Sequence, residues 1–84
     1  KVTRGGREIT LTPREFALLE FFLRNPGVVL SKVEIAEKVW DLNFNTGTNV
    51  IEVYVNYLRN KLDKGYDHKL LHTLFGQGYV LKEE

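Results

Sequence analysis

Asn49, Val53, Asn56 and Asn60 recur every three or four residues, so a helix through this stretch lines them along one face. Asparagine competes for backbone hydrogen bonds and is a poor residue for a helix interior. Its amide pairs bidentately with adenine in the major groove of duplex DNA, and valine suits contact with a thymine methyl. The face is therefore chemically equipped to read base edges; a solvated polar face carrying a stray valine is the plainer alternative. Arg59, Lys61 and Lys64 follow, and each could meet a backbone phosphate, a contact that fixes register without reading sequence. Trp40 reads first as a core residue, although its indole N–H could donate to a phosphate at the domain edge.

Other chemistries find few residues. Cysteine is absent, which removes disulfide frameworks and thiolate zinc sites and fits a reducing compartment. His68 and His72 fall in a loop and a strand, with no acidic group completing a metal set around them. Ser31, the only serine, reads as a helix cap. Gly76-Gln77-Gly78 is a turn and not a dinucleotide fingerprint, because no helix follows it. No catalytic centre, metal site or cofactor is expected, and the chain is not expected to be an enzyme.

The elements that position the asparagine face are marked by caps and stripes. Thr12-Pro13-Arg14-Glu15 combines a capping hydroxyl, a proline at the first helical position and a glutamate at the third. This first helix runs through Phe16, Leu18, Leu19, Phe21, Phe22 and Leu23 to a stop at Asn25-Pro26-Gly27. Apolar residues around most of its circumference predict that it is the most buried helix. Ser31-Lys32-Val33-Glu34 is a second capping box, opening a helix of about ten residues with Val33, Ile35, Ala36, Val39 and Trp40 on or beside its inward face. Asp41 to Thr48 is a turn-rich loop whose Leu42 and Phe44 pin it down or form a partner surface. The third helix, about 49–64, carries Ile51, Val55, Leu58 and Leu62 as one apolar stripe opposite the asparagines, with Glu52 and Tyr57 flanking. Thr48 or Asn49 is placed to cap it, and Lys61 and Lys64 suit its C-terminal dipole.

Two hairpins bracket the helices. A Gly-Gly turn between the short runs in Val2–Leu11 predicts one, and Leu70–Phe75 with Tyr79–Lys82 around Gly76-Gln77-Gly78 predicts the other, a wing of about 70–82. Two short strands alone are marginal, so the first pair is expected to belong to a sheet with strands before Lys1. The fold class is α+β: a winged helix-turn-helix with a three-helix core, a partial N-terminal antiparallel sheet and a C-terminal hairpin wing. A small α+β domain whose helices simply pack is the alternative.

Eighty-four residues, 43% hydrophobic and 27% charged, make one ordered globular domain. No apolar run approaches the roughly 18 residues of a membrane span, so no membrane partner is expected. The first residue is Lys rather than Met, which suggests a piece of a longer protein. Net charge is only +1, so bulk charge makes no case for nucleic acid. If DNA is the partner, positive charge must be local and one isolated domain binds weakly.

Leu11-Thr12-Pro13-Arg14-Glu15-Phe16 with Leu18-Leu19, Val28-Val29-Leu30-Ser31-Lys32, Val39-Trp40, Val53-Tyr54-Val55-Asn56-Tyr57-Leu58-Arg59-Asn60-Lys61-Leu62 and Gly76-Gln77-Gly78-Tyr79 together resemble the effector domain of OmpR/PhoB-type response regulators. The resemblance covers essentially the whole chain. It implies residues 1–84 are a winged-helix DNA-binding effector domain following a phosphorylatable receiver domain, in a cytoplasmic bacterial regulator paired with a sensor histidine kinase. It implies a dimer on direct-repeat duplex DNA, with the isolated domain a monomer. It carries base reading onto Asn49, Val50, Glu52, Val53, Asn56 and Tyr57 in the major groove. Phosphate contacts fall on Lys32, Trp40, Arg59, Thr73 and Tyr79.

Two departures stand out. Asn56 and Tyr57 replace arginines that many members expose, and Phe75, beside Gln77 on the wing, replaces an arginine aimed at the minor groove. The run Trp40-Asp41-Leu42-Asn43-Phe44 is most similar to the copper- or silver-responsive branch, where the partner kinase senses the metal. The rival reading is a winged-helix protein-interaction module without direct base readout; in either reading Asp41, Leu42, Asn43, Phe44 and Asn45 form a loop that could dock RNA polymerase.

Overall fold

The computed structural model describes residues 2–40 and 49–83. The chain opens with a hairpin, β1 (Val2–Arg4) against β2 (Arg7–Ile9), in the register Val2↔Ile9 and Arg4↔Arg7. Gly5 and Gly6 turn it with φ of 57° and 83°, the two left-handed positions that a tight two-residue hairpin turn requires.

Helix α1 (Pro13–Arg24) starts as its capping box predicts. Thr12 Oγ1 accepts from the Glu15 N–H at 3.2 Å, and Glu15 Oε1 accepts from the Thr12 N–H at 2.9 Å. It ends where Asn25 donates its backbone N–H to Phe22 O and its side-chain amide to Phe21 O. Leu18, Leu19 and Phe22 are buried, but Phe16 and Leu23 are 45% and 60% exposed. Apolar side chains ring helix α1, yet the core packs against one side of it only.

A second cap of the same kind opens α2 (Lys32–Ile35) at Ser31. The expected ten-residue helix is instead four α-helical residues continued by a π-helical stretch, Ala36–Trp40. In that widened turn the Val39 carbonyl accepts from Arg14 Nη1, and Trp40 meets Tyr54 edge-on, with ring centroids 5.2 Å apart. Val33, expected near the inward face, is 44% exposed. The expectations for Asp41 to Thr48 lie outside the described residues.

Helix α3 (Asn49–Asp63) buries Ile51, Val55, Leu58 and Leu62, the predicted stripe, in the same core as Leu18, Phe22 and Ile35. The wing is β3 (Leu71–Leu74) paired with β4 (Gly78–Leu81), from Leu71↔Leu81 to Leu74↔Gly78. It is anchored from behind: Leu30 and Tyr79 exchange backbone hydrogen bonds of 2.8 and 2.9 Å, and Gly27 donates to Leu81 O. Glycine is required at Gly78, where a Cβ would lie 2.1 Å from Leu30 O.

Candidate nucleic-acid interface

The apolar stripe of α3 faces the core, so the opposite side of the helix faces solvent. Glu52, Val53, Asn56, Tyr57 and Asn60 are all exposed, with Val53 at 40% and Tyr57 at 50%. Val50 is half-buried and packs on the core, which turns it away from this face. The side-chain role expected of Asn49 lies outside the described residues.

A groove of about 730 Å³ runs between the start of α2, the outer side of α3 and the wing. Lys32, Glu52, Asn56 and Arg59 line one side of it. Thr73, Phe75, Gln77 and Tyr79 come from the wing. Residues far apart in sequence thus share one concavity. Ser31, Val33 and Leu74 also line it, and sequence reasoning did not propose them for the site.

Arg59 knits the groove together. Its Nε donates to Leu71 O at 3.3 Å, Nη1 to Asn56 Oδ1 at 3.2 Å, and Nη2 to Thr73 Oγ1. The guanidinium fork braces α3 against β3 and orients the Asn56 amide at the same time. An amide oxygen has two lone pairs, so Asn56 Oδ1 can accept from Arg59 and from a base.

Lys32 Nζ lies 2.5 Å from Glu52 Oε1, an ion pair spanning α2 and α3 at the groove wall. The hydrogen bond to Glu52 raises the Lys32 pKa above its ordinary value. Tyr79 is 5% exposed, and burial raises its phenol pKa. Phe75 at the wing tip is 94% exposed.

Several expected residues lie elsewhere. Trp40, Tyr54 and Tyr57 form an edge-to-face ladder along one flank of α3, with Arg14 over the Trp40 ring. Tyr57 borders a separate hollow of about 470 Å³ beside Thr12–Glu15. Lys61, taken from sequence as a phosphate or dipole contact, pairs instead with Glu15 at 2.6 Å. Burial pushes the Glu15 carboxyl up, but the Lys61 and Thr12 hydrogen bonds outweigh it and hold its pKa below the usual value. His72 lies against the Lys82 carbonyl, and among the described residues no three His, Asp or Glu side chains gather to hold a metal.

One structural group went unnoticed in the sequence. Asp63 is 2% exposed; its carboxylate accepts from Arg4 Nη1 at 2.8 Å and from the Leu70 and Leu71 N–H groups. An acid in the last turn of a helix opposes the helix dipole, and that misfit is the sequence signal of a required cation.

Residues 6–81 match the family described as transcriptional regulatory protein, C terminal. The transcriptional regulatory protein CusR of Escherichia coli (strain K12) is 54% identical over 82 residues, covering 98% of this chain and 36% of its own length. A solved structure of streptococcal redox sensors evolved from two-component response regulators superposes with a TM-score of 0.85 at 36% identity, over 98% of this chain and 35% of that one. The DNA-binding domain of E. coli CadC gives a TM-score of 0.82 at 34% identity, over 94% of this chain and 75% of that one. The chain thus spans little more than a third of the curated relative, 36% of its length.

Proposed function

The chain belongs to the family of transcriptional regulatory protein C-terminal domains found in OmpR/PhoB-type response regulators, a family of regulators and not of enzymes, and on that premise we propose how it engages DNA. Helix α3 enters the major groove with Glu52, Val53 and Asn56 toward base edges, and the wing lies near the adjacent minor groove. Lys32, Arg59 and Thr73 contact phosphates and set the register. The observation that carries this reading is the Asn56–Arg59–Thr73 network, which joins a base-reading side chain to wing and backbone contacts inside one groove.

A receiver domain upstream takes a phosphoryl group from a sensor histidine kinase in the cytoplasm. Two copies then bind a direct repeat, and the segment 41–45 meets RNA polymerase. Among the described residues no helix is long and apolar enough to cross a membrane.

The test is fluorescence anisotropy with random-sequence duplex at low and moderate salt, followed by selection of bound sequences from a random pool. Salt-dependent binding and an enriched motif are the expected results. No salt-dependent binding at micromolar protein would overturn the reading in favour of a protein-interaction module.

A further inference from the structure

The Lys32–Glu52 pair sets two of the groove's charged groups against each other. Lys32 is one of the two cationic side chains lining the groove, and Glu52 carries the acid that faces it. While they are joined, the ammonium has little net attraction left for a phosphate, and the carboxylate repels one. Both side chains remain solvent-accessible, at 36% and 48%, so each is free to change partner.

We infer that this ion pair is a latch in which Glu52 withholds Lys32 from DNA until a base offers Glu52 a hydrogen-bond donor. The inference rests on the DNA-binding reading and deepens it by identifying a specificity-determining residue. Bases present exocyclic amino donors in the major groove at cytosine N4 and adenine N6, and cytosine N4 is the donor that carboxylates accept from most directly. A site offering it satisfies Glu52, which releases Lys32 to the neighbouring phosphate. A site lacking it leaves Glu52 on Lys32, so the base contact and the phosphate contact are lost together. The penalty falls on wrong sites and leaves the right one intact, which raises discrimination without raising affinity.

Wild type, Glu52→Gln, Lys32→Gln and the double variant are compared by anisotropy on random duplex across a salt series, and on a duplex selected by the wild-type chain. Freeing Lys32 makes E52Q bind random duplex about two- to fivefold more tightly at low salt. Its plot of log K against log salt steepens by about 0.9, one added phosphate contact. The same change in the K32Q background leaves the slope where it was. On the selected duplex E52Q gains nothing comparable, so the ratio of selected to random affinity falls by about two- to fivefold.

A wild-type slope for E52Q on random duplex, or equal steepening in both backgrounds, overturns the latch. A wild-type chain with no salt-dependent DNA binding overturns the underlying reading instead, so the two failures are distinguishable.

Discussion

Arg59 donates from Nε, Nη1 and Nη2 to acceptors on α3 and β3, so removing it loses a brace as well as a charge. Arg59→Ala should weaken binding to every duplex alike and flatten the salt slope by about one. Arg59→Lys keeps the charge and most of the slope, but a point ammonium does not span three acceptors, so affinity stays reduced. A lysine variant with full wild-type affinity would show that charge alone matters. Lys61 has a different task, seen in the pH dependence of stability. The Glu15 pKa is lower folded than unfolded, so its contribution is present above about 4.5 and disappears as pH falls through the folded value. Lys61→Met should make that acid loss of stability shallower in urea melts between roughly pH 5 and 2. The asparagine face was legible because helical period alone assigns it to solvent. The partners of Lys61 and Asp63 were not, because Glu15 and Arg4 lie 46 and 59 residues away and only the packed core brings them near.

Elements whose ends are set by neighbouring side chains were the most readable. Both capping boxes formed as expected because Thr12 with Glu15 and Ser31 with Glu34 need no tertiary partner. The π-helical widening at Ala36–Trp40 had no such local mark; it sits where Arg14 and Tyr54, from α1 and α3, meet the turn. The wing also depends on a distant contact, the backbone of Leu30 pressed against Gly78. Gly78→Ala puts a methyl group into that carbonyl, forcing the wing off the connector at a cost of about 3 kcal/mol or more. Gly76 is also at positive φ, but a Cβ there would meet nothing within 4 Å. Its alanine variant loses only the roughly 1–2 kcal/mol of a left-handed alanine. Urea denaturation of the two alanine variants measures the difference; equal losses would mean that the Leu30 contact contributes nothing to holding the wing.

The whole molecule depends on how the N-terminal hairpin grips the far end of α3. Arg4 donates to the Leu62 and His68 carbonyls and to Asp63, and its guanidinium lies 3.9 Å from the Tyr66 ring centroid. Asp63 in turn holds the Leu70 and Leu71 N–H groups at the start of the wing. The clamp therefore fixes the angle between α3 and the hairpin that follows it, although no clamp residue lines the groove. Arg4→Met removes one partner of an ion pair whose carboxylate is 3% exposed, a change that costs about 3 kcal/mol. For a domain of this size that is a large share of a stability of roughly 5–15 kcal/mol. Below the unfolding transition the surviving folded chain should bind all duplexes more weakly while ranking them as before, because the face of α3 proposed to read bases is untouched and only its angle to the wing is loosened. Urea melts give the stability, and competition among selected duplexes gives the ranking. A reordered ranking would mean that the clamp reaches the base-reading residues themselves, and that α3 and the wing do not act as separable parts of the interface.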